Sequence, residues 1–413
     1  MYNAIFFIIV GILIVSYIVS RYLDFLNSKS RNKNIPEELK GIYDEERYEK
    51  SQKYGKAKDR LSFISSTFML AVILFMLFSG GFNYIKEFAA SVTDNEILRA
   101  LIFFGILILV SDIITLPFQW YSVFVIEEKF GFNKMTVKTF ITDKLKSWLA
   151  GGIIGGILLS AVVWFYLKTG NMFWIYAWIS VSLFSVFMSM FYSNLIVPLF
   201  NKQTPLEPGE LRDAIKEFSD KAGFKPKNIY VIDGSKRSAK ANAYFSGLGH
   251  KKRIVLYDTL INDLTTDEIV AVLAHEIGHY KKKHVAINIV SSVIQSGIMF
   301  YIFFLLVNSK ELSAALGSDD ISFELGLLAF GILYSPISGI ISMLMNILSR
   351  RHEFEADAFA CKFGQANGLI SGLKKLTAKN LSNLTPHPAY VFFYYSHPTL
   401  YQRIKAMKNE QGN

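Results

Sequence analysis

Seven long apolar runs, at about 4–22, 61–82, 97–121, 148–167, 172–200, 285–307 and 325–348, alternate with polar stretches along the chain. Each is close to or above the roughly 18–20 residues that a helix needs to cross the hydrocarbon of a bilayer. Three polar stretches are long enough to fold in water: 24–60, 201–283 and 349–413. Inside the second, apolar positions at helical spacing predict an amphipathic helix over 211–222. A strand is expected at 228–232, and alternating segments at 241–246 and 253–257 predict a hairpin around Gly247 and Gly249. The pattern therefore predicts a mainly α, polytopic membrane protein with about seven transmembrane helices and a small α+β unit. The expected layout is five membrane helices in 1–200 with a charged loop at 24–60, and an α+β segment at 201–284. Helices six and seven follow at 285–348, and a helical C-terminal segment at 349–413. No internal repeat or low-complexity segment interrupts it.

Composition agrees. A chain of 413 residues could hold two or three soluble domains, but hydrophobic residues reach 51% and aromatic residues 15%. The net charge of +10 would suit a nucleic-acid partner, yet no nucleic-acid motif accompanies it and the basic residues gather between the apolar runs. The stretches 24–60, 122–147, 201–283 and the tail are rich in Lys and Arg, whereas 83–96, 168–171 and 308–324 carry few. Seven crossings with the N-terminus outside put every basic stretch on the cytoplasmic side, where attraction to anionic lipid is a secondary effect. Alternating acids and bases in 24–60 predict solvated helix. The first run has no small-residue cleavage pattern and is expected to be retained as a membrane helix. Cys361 is the only cysteine, which excludes an intrachain disulfide and a cysteine metal cluster.

The chemistry is concentrated in His275-Glu276-Ile277-Gly278-His279. Helix pattern from 267 to 283, with Thr265 and Glu268 spaced as a capping box, places the two histidines one turn apart on one face, able to share a metal ion. Glu276 projects about 100° away, where it can reach a water without taking a ligand position. A hydrolytic zinc site needs a third protein ligand. Beyond the seventh run, Glu353 is the candidate, with Asp357 one turn later to orient a ligand imidazole. By spacing alone, simple pairing of these carboxylates with Arg350 and Arg351 is the commoner explanation of such an arrangement.

The set resembles the type I CAAX prenyl endopeptidases, the a-factor-converting class of integral-membrane zinc metalloproteases related to the gluzincins. The resemblance is carried by His275-Glu276-x-x-His279 and by Ser349-Arg350-Arg351-x-Glu353-Phe354-x-Ala356-Asp357-x-Phe359-Ala360. It extends to Phe124-Val125-Ile126-Glu127-Glu128-x-Phe130-Gly131-Phe132-Asn133, Ser238-Ala239-x-Ala241-Asn242-Ala243-Tyr244 and Ser396-His397-Pro398-x-Leu400-x-x-Arg403. It implies seven helices enclosing a chamber with a gluzincin-like unit on the cytoplasmic side. It also implies one Zn2+ held by His275, His279 and Glu353, with Glu276 as base and acid and Asp357 behind the ligands. His397 and Arg403 would lie near the reacting carbonyl and Asn242 on a substrate-binding strand. The implied substrate is a peptide or protein C-terminus bearing an isoprenylated cysteine, from which three residues are removed. The chain is expected to be a monomer, in contact with membrane lipid and no nucleic acid. Its membrane would be the endoplasmic reticulum in a eukaryote or the cytoplasmic membrane in a bacterium. The alternatives are a membrane quality-control metalloprotease resembling the shorter heat-shock enzymes, or a transporter or scaffold with a structural zinc site. Three ligands plus a base make an open set, which disfavours the last. Of the other histidines, His284 is expected at the membrane interface, His250 in a turn and His352 on the surface beside Glu353. His387 has no assigned role. Asp112, inside the third run, is expected to face the interior, and Gln295 and Asn346 stay ambiguous.

Overall fold

In a computed structural model of the chain, residues 2–31, 35–224, 228–240, 243–246 and 253–411 are described. The membrane part contains α1 (Ala4–Ser30), α2 (Glu45–Phe78), α3 (Gly81–Val92), α4 (Glu96–Tyr121), α5 (Val137–Thr169) and α6 (Phe173–Leu195). A short α7 (Val197–Phe200) leads into the polar unit. Among the described residues, six stretches are long and apolar enough to cross a membrane, and one of them, Val137–Phe200, is 64 residues long. It doubles back at a 3-10 turn over Gly170–Met172, so α5 and α6 are two crossings packed on one another. With α11 (His284–Leu306) and α13 (Phe323–Lys362), seven long helices result, as the apolar pattern indicated.

Their boundaries differ from the apolar runs because the helices project past the hydrocarbon. The second run continues across a break: Gly80 takes φ 69°, the left-handed conformation that a residue with a Cβ resists, and α3 starts anew after it. α2 begins well before its apolar half, with Asp44 capping the Arg47 N–H. Nor is 24–60 wholly solvated. Leu39, Tyr43 and Tyr54 are buried, and the Tyr43 hydroxyl donates to the carbonyls of Thr377 and Ser382. α4 runs on as a π-helix over Ser122–Glu127.

The long helices close a ring: α1 on α2, α2 on α4, α4 on α5, α5 on α6, α6 on α11, α11 on α13, and α13 back on α1. Seven cylinders about 10 Å across, set side by side in a ring, leave a central opening of roughly 13 Å. Burial shows that side chains do not fill it, since only 6–11% of each apolar window is buried. A solid bundle would bury a stripe on every helix. The apolar residues that are buried gather at one end. There Phe6, Leu77, Phe82 and Phe103 pack against Leu312, Leu316 and Leu325 around α12 (Lys310–Ala315). The bundle is thus a chamber closed at the end away from the polar unit.

That unit contains α8 (Glu210–Lys221), α9 (Asp258–Asp263), α10 (Thr266–Lys281) and a four-stranded sheet. The strands are β1 (Gln203–Pro205), β2 (Asn228–Ile232), β3 (Ala243–Ser246) and β4 (Arg253–Tyr257), in the order β1-β2-β4-β3. β2 and β4 are parallel, and β3 and β4 form the expected antiparallel pair, with Ala243 opposite Leu256. β3 lies at the sheet edge. Ile215, Phe218, Ile254, Leu256, Leu260 and Ile277 form the core beneath, closed by α14 (Ala366–Lys379). α15 (Pro388–Tyr394) and α16 (Leu400–Gln411) complete the chain. Asp112 bonds to the neighbouring helix, accepting from Lys144 and Trp148 on α5, and from Gln119 on its own helix. Asn346 donates to the Phe393 carbonyl and joins α13 to α15.

Candidate active site

α10 starts where the sequence indicated. Thr265 caps it, its hydroxyl accepting from the Glu268 N–H while the Glu268 carboxylate accepts from the Thr265 N–H. Glu268 also accepts from Ser371 and Lys375 on α14. Burial alone would raise its carboxyl, but these bonds outweigh burial and hold it below the ordinary glutamate range. α10 is thereby fixed against the rest of the unit. On its other side it meets α13 without a spacer: a Cβ added at Gly278 would lie 3.0 Å from the Ala356 Cα and 3.1 Å from its carbonyl oxygen. Glycine opposite the buried Ala356 allows this approach without the backbone having to give way.

The close crossing brings His275, His279 and Glu353 together, with ligand atoms all within 4.8 Å of one another. His275 Nε2 is 3.1 Å from His279 Nε2 and 3.5 Å from Glu353 Oε2, and His279 Nε2 is 3.2 Å from Glu353 Oε1. Ligands about 2.0–2.2 Å from a tetrahedral zinc would lie about 3.3–3.6 Å apart, so the spacing suits such an ion. The chemistry of the donors points the same way. His275 Nδ1 is 2.8 Å from the buried Asp357 carboxylate, which can only accept, so the proton sits on Nδ1 and the Nε2 lone pair faces the cluster. Glu353 Oε2 is buried with no hydrogen-bond partner among the described residues. A lone pair and a buried carboxylate turned to one point are satisfied by a cation.

Arg403, on α16, lies behind this cluster and is buried. It donates to both Asp357 oxygens at 2.9 and 2.6 Å, and its Nη1 is 3.6 Å from Glu353 Oε2. Burial opposes its charge, but Asp357, Glu353 and Glu276 prevail and keep the guanidinium charged beyond its ordinary range. His397 stands on the open side, two-thirds exposed, with Nε2 3.2 Å from Glu353 Oε1. Glu276 follows His275 on α10. Burial raises its carboxyl above the ordinary glutamate range against the opposing pull of His275 and His279.

Two sequence-based expectations fail. His284 is not an interfacial residue: it is buried, with Nδ1 2.9 Å from His279 Nδ1 and Nε2 3.1 Å from Glu355 Oε2. His352 is not on the surface but buried, its ring stacked on that of His284 at 3.9 Å. Three lysines before His284 gave it the look of a membrane-interface residue. The turn that folds it back uses Lys283 at φ 60° rather than a glycine, so no turn residue announced it. His387 caps α15, its Nδ1 accepting from the Ala389 N–H. Asn242 and His250 lie outside the described residues. The approach to β3 is anchored by Lys240, which donates to Glu127 and Tyr54, and by Ala239, which donates to the Phe132 carbonyl.

Comparison with known proteins covers the whole chain. Residues 24–202 match the family described as CAAX prenyl protease N-terminal, five membrane helices, and residues 205–411 match peptidase family M48. CAAX prenyl protease 1 homolog of Arabidopsis thaliana is 37% identical over 411 residues, covering 97% of each chain. CAAX prenyl protease 1 of Saccharomyces cerevisiae is 35% identical, covering 97% of this chain and 94% of its own. The crystal structure of S. mikatae Ste24p superposes with a TM-score of 0.92 at 35% identity, over 98% of this chain and 99% of that one. The His275–His279–Glu353 cluster beneath a seven-helix chamber is thus set in a chain that belongs to peptidase family M48, with the CAAX prenyl protease type of membrane domain.

Proposed function

We propose that the chain is a zinc endopeptidase that removes the three residues following an isoprenylated cysteine at a protein C-terminus, working at the cytoplasmic face of its membrane. The observation that carries this reading is the convergence of His275, His279 and Glu353, with Asp357 and Arg403 behind them and His397 in front. The two relatives' names, CAAX prenyl protease 1 and its homolog, support the substrate class. The basic character of 201–283 and of the tail supports the cytoplasmic placement.

His275, His279 and Glu353 would hold the metal. When bound, zinc polarises the scissile carbonyl and acidifies the attacking water. Glu276 takes the proton from that water and hands it to the leaving amine. His397 would donate a hydrogen bond to the carbonyl oxygen as charge develops there. Arg403 and Asp357 hold the imidazole of His275 in the tautomer that keeps its Nε2 lone pair inward. The substrate would extend along the edge strand β3 by main-chain hydrogen bonds, and Asn242 just before it would bind its backbone. The protein would act as a monomer in lipid.

The test compares a farnesylated Cys-a-a-X peptide with the same peptide unprenylated, incubated with the purified zinc-loaded protein, with products identified by mass. Release of the intact tripeptide from the farnesylated form is expected. Equal cleavage of both at scattered bonds would favour a quality-control protease instead.

A further inference from the structure

The two ligand imidazoles are held from behind in different ways. His275 has a carboxylate against its Nδ1, whereas the His279 Nδ1 meets another imidazole nitrogen, His284 Nδ1, at 2.9 Å. Two ring nitrogens at that distance share one proton, and the metal decides which bears it. If His279 Nε2 offers its lone pair to the cluster, its proton lies on Nδ1. His284 Nδ1 must then accept, which puts the proton of His284 on Nε2, where Glu355 Oε2 receives it at 3.1 Å. The other Glu355 oxygen accepts from Arg351 Nε at 3.1 Å. Every proton in the chain Glu355, His284, His279 therefore points away from the metal.

The surroundings are built for this arrangement. His284 is 2% exposed, and the His352 ring lies flat against it at 3.9 Å with 9° between the planes, which fixes the ring rotation. The chain makes a costly turn to place it: Lys283, with a Cβ, adopts φ 60° between α10 and α11, a left-handed conformation that favours glycine. His352 and Glu355 come from α13, the helix that also supplies Glu353.

We propose that His284 and Glu355 are positioning residues for the second metal ligand, an imidazole–carboxylate relay that fixes the tautomer and aim of His279. The inference rests on the zinc reading and extends it to residues with no role in the bare ligand set.

The test is the zinc affinity of the full-length protein, measured by competition with a chelator in detergent. Cobalt-substituted spectra serve as a second readout, because they report ligand geometry rather than fold. His284→Phe keeps the ring volume and removes both nitrogens, and is expected to weaken zinc about 10–100-fold and to shift the cobalt bands. Glu355→Ala should weaken it in the same direction, and Glu355→Gln should restore most of the loss, since the amide oxygen still accepts from Nε2. Should His284→Phe fail to fold, the Glu355 pair, on a part-exposed side chain, decides alone. His275→Ala is the control. If it loses zinc while His284→Phe or Glu355→Ala binds as tightly as the unaltered protein, the relay is wrong and the metal site stands. If His275→Ala also keeps its affinity, the zinc reading itself falls.

Discussion

Arg403 donates to both oxygens of Asp357 and leans on Glu353 from behind, so its guanidinium faces the ligands and not the open side of the cluster. Among the described residues, His397 is exposed in front of Glu353, where the proposed mechanism has it meet the developing oxyanion. His397→Ala is therefore expected to lower kcat about 10²–10³-fold, the usual effect of losing one such donor, while zinc content is unchanged. Loss of zinc together with activity would move His397 into the metal-holding set. His275 and His279, with Glu276 beside them, stood out in the sequence as a candidate metal pair because an i, i+4 pair on a helix needs no tertiary information, whereas Glu353 was singled out as a ligand by the family resemblance. Glu355 was not. Its role depends on which face of α13 meets α10, and the spacing by itself gave it none.

α13 is one helix of 40 residues that both crosses the bundle and delivers Glu353, Glu355 and Asp357. Apolar periodicity showed its membrane half and charge patterning its polar half, but their continuity was invisible because the composition changes sharply near Arg350. Gly278 matters at the same scale. A methyl group there would press on the Ala356 backbone, which cannot rotate out of the way as a side chain can. Gly278→Ala is expected to push α10 and α13 apart by a few tenths of an ångström and to weaken zinc by an order of magnitude or more, since ligand sets tolerate about 0.2 Å. Unchanged zinc affinity would mean that the crossing is more pliable than its packing implies. The hairpin of β3 and β4 and the capping box were both legible, since each is written in local alternation or spacing. The parallel pairing of β2 with β4 was not, because it joins strands with no local turn between them.

At the scale of the whole molecule, α11 and α13 must both cross, or neither, for His275 and Glu353 to meet. The count of seven runs and the basic loops give an expected topology, while the chamber came from the family resemblance. Only the ring of contacts and the sparse burial of the apolar windows express it physically. With Cys361 replaced, a cysteine at the exposed Asp319 is expected to react with an impermeant thiol reagent from the extracytoplasmic side, and one at Lys282 to be protected. Ser313, in the same loop, is fully buried and would not serve. Labelling of both from one side would remove the two crossings. The central claim is that a metal held by His275, His279 and Glu353 hydrolyses a peptide bond with Glu276 moving the proton. It is tested most directly by measuring zinc content and farnesyl-peptide cleavage side by side in the purified protein and in Glu276→Gln. One equivalent of zinc in both, with cleavage by the variant reduced by at least about 10³-fold, is the expected result. Comparable turnover by the variant, or a purified protein that cleaves without zinc, would contradict it.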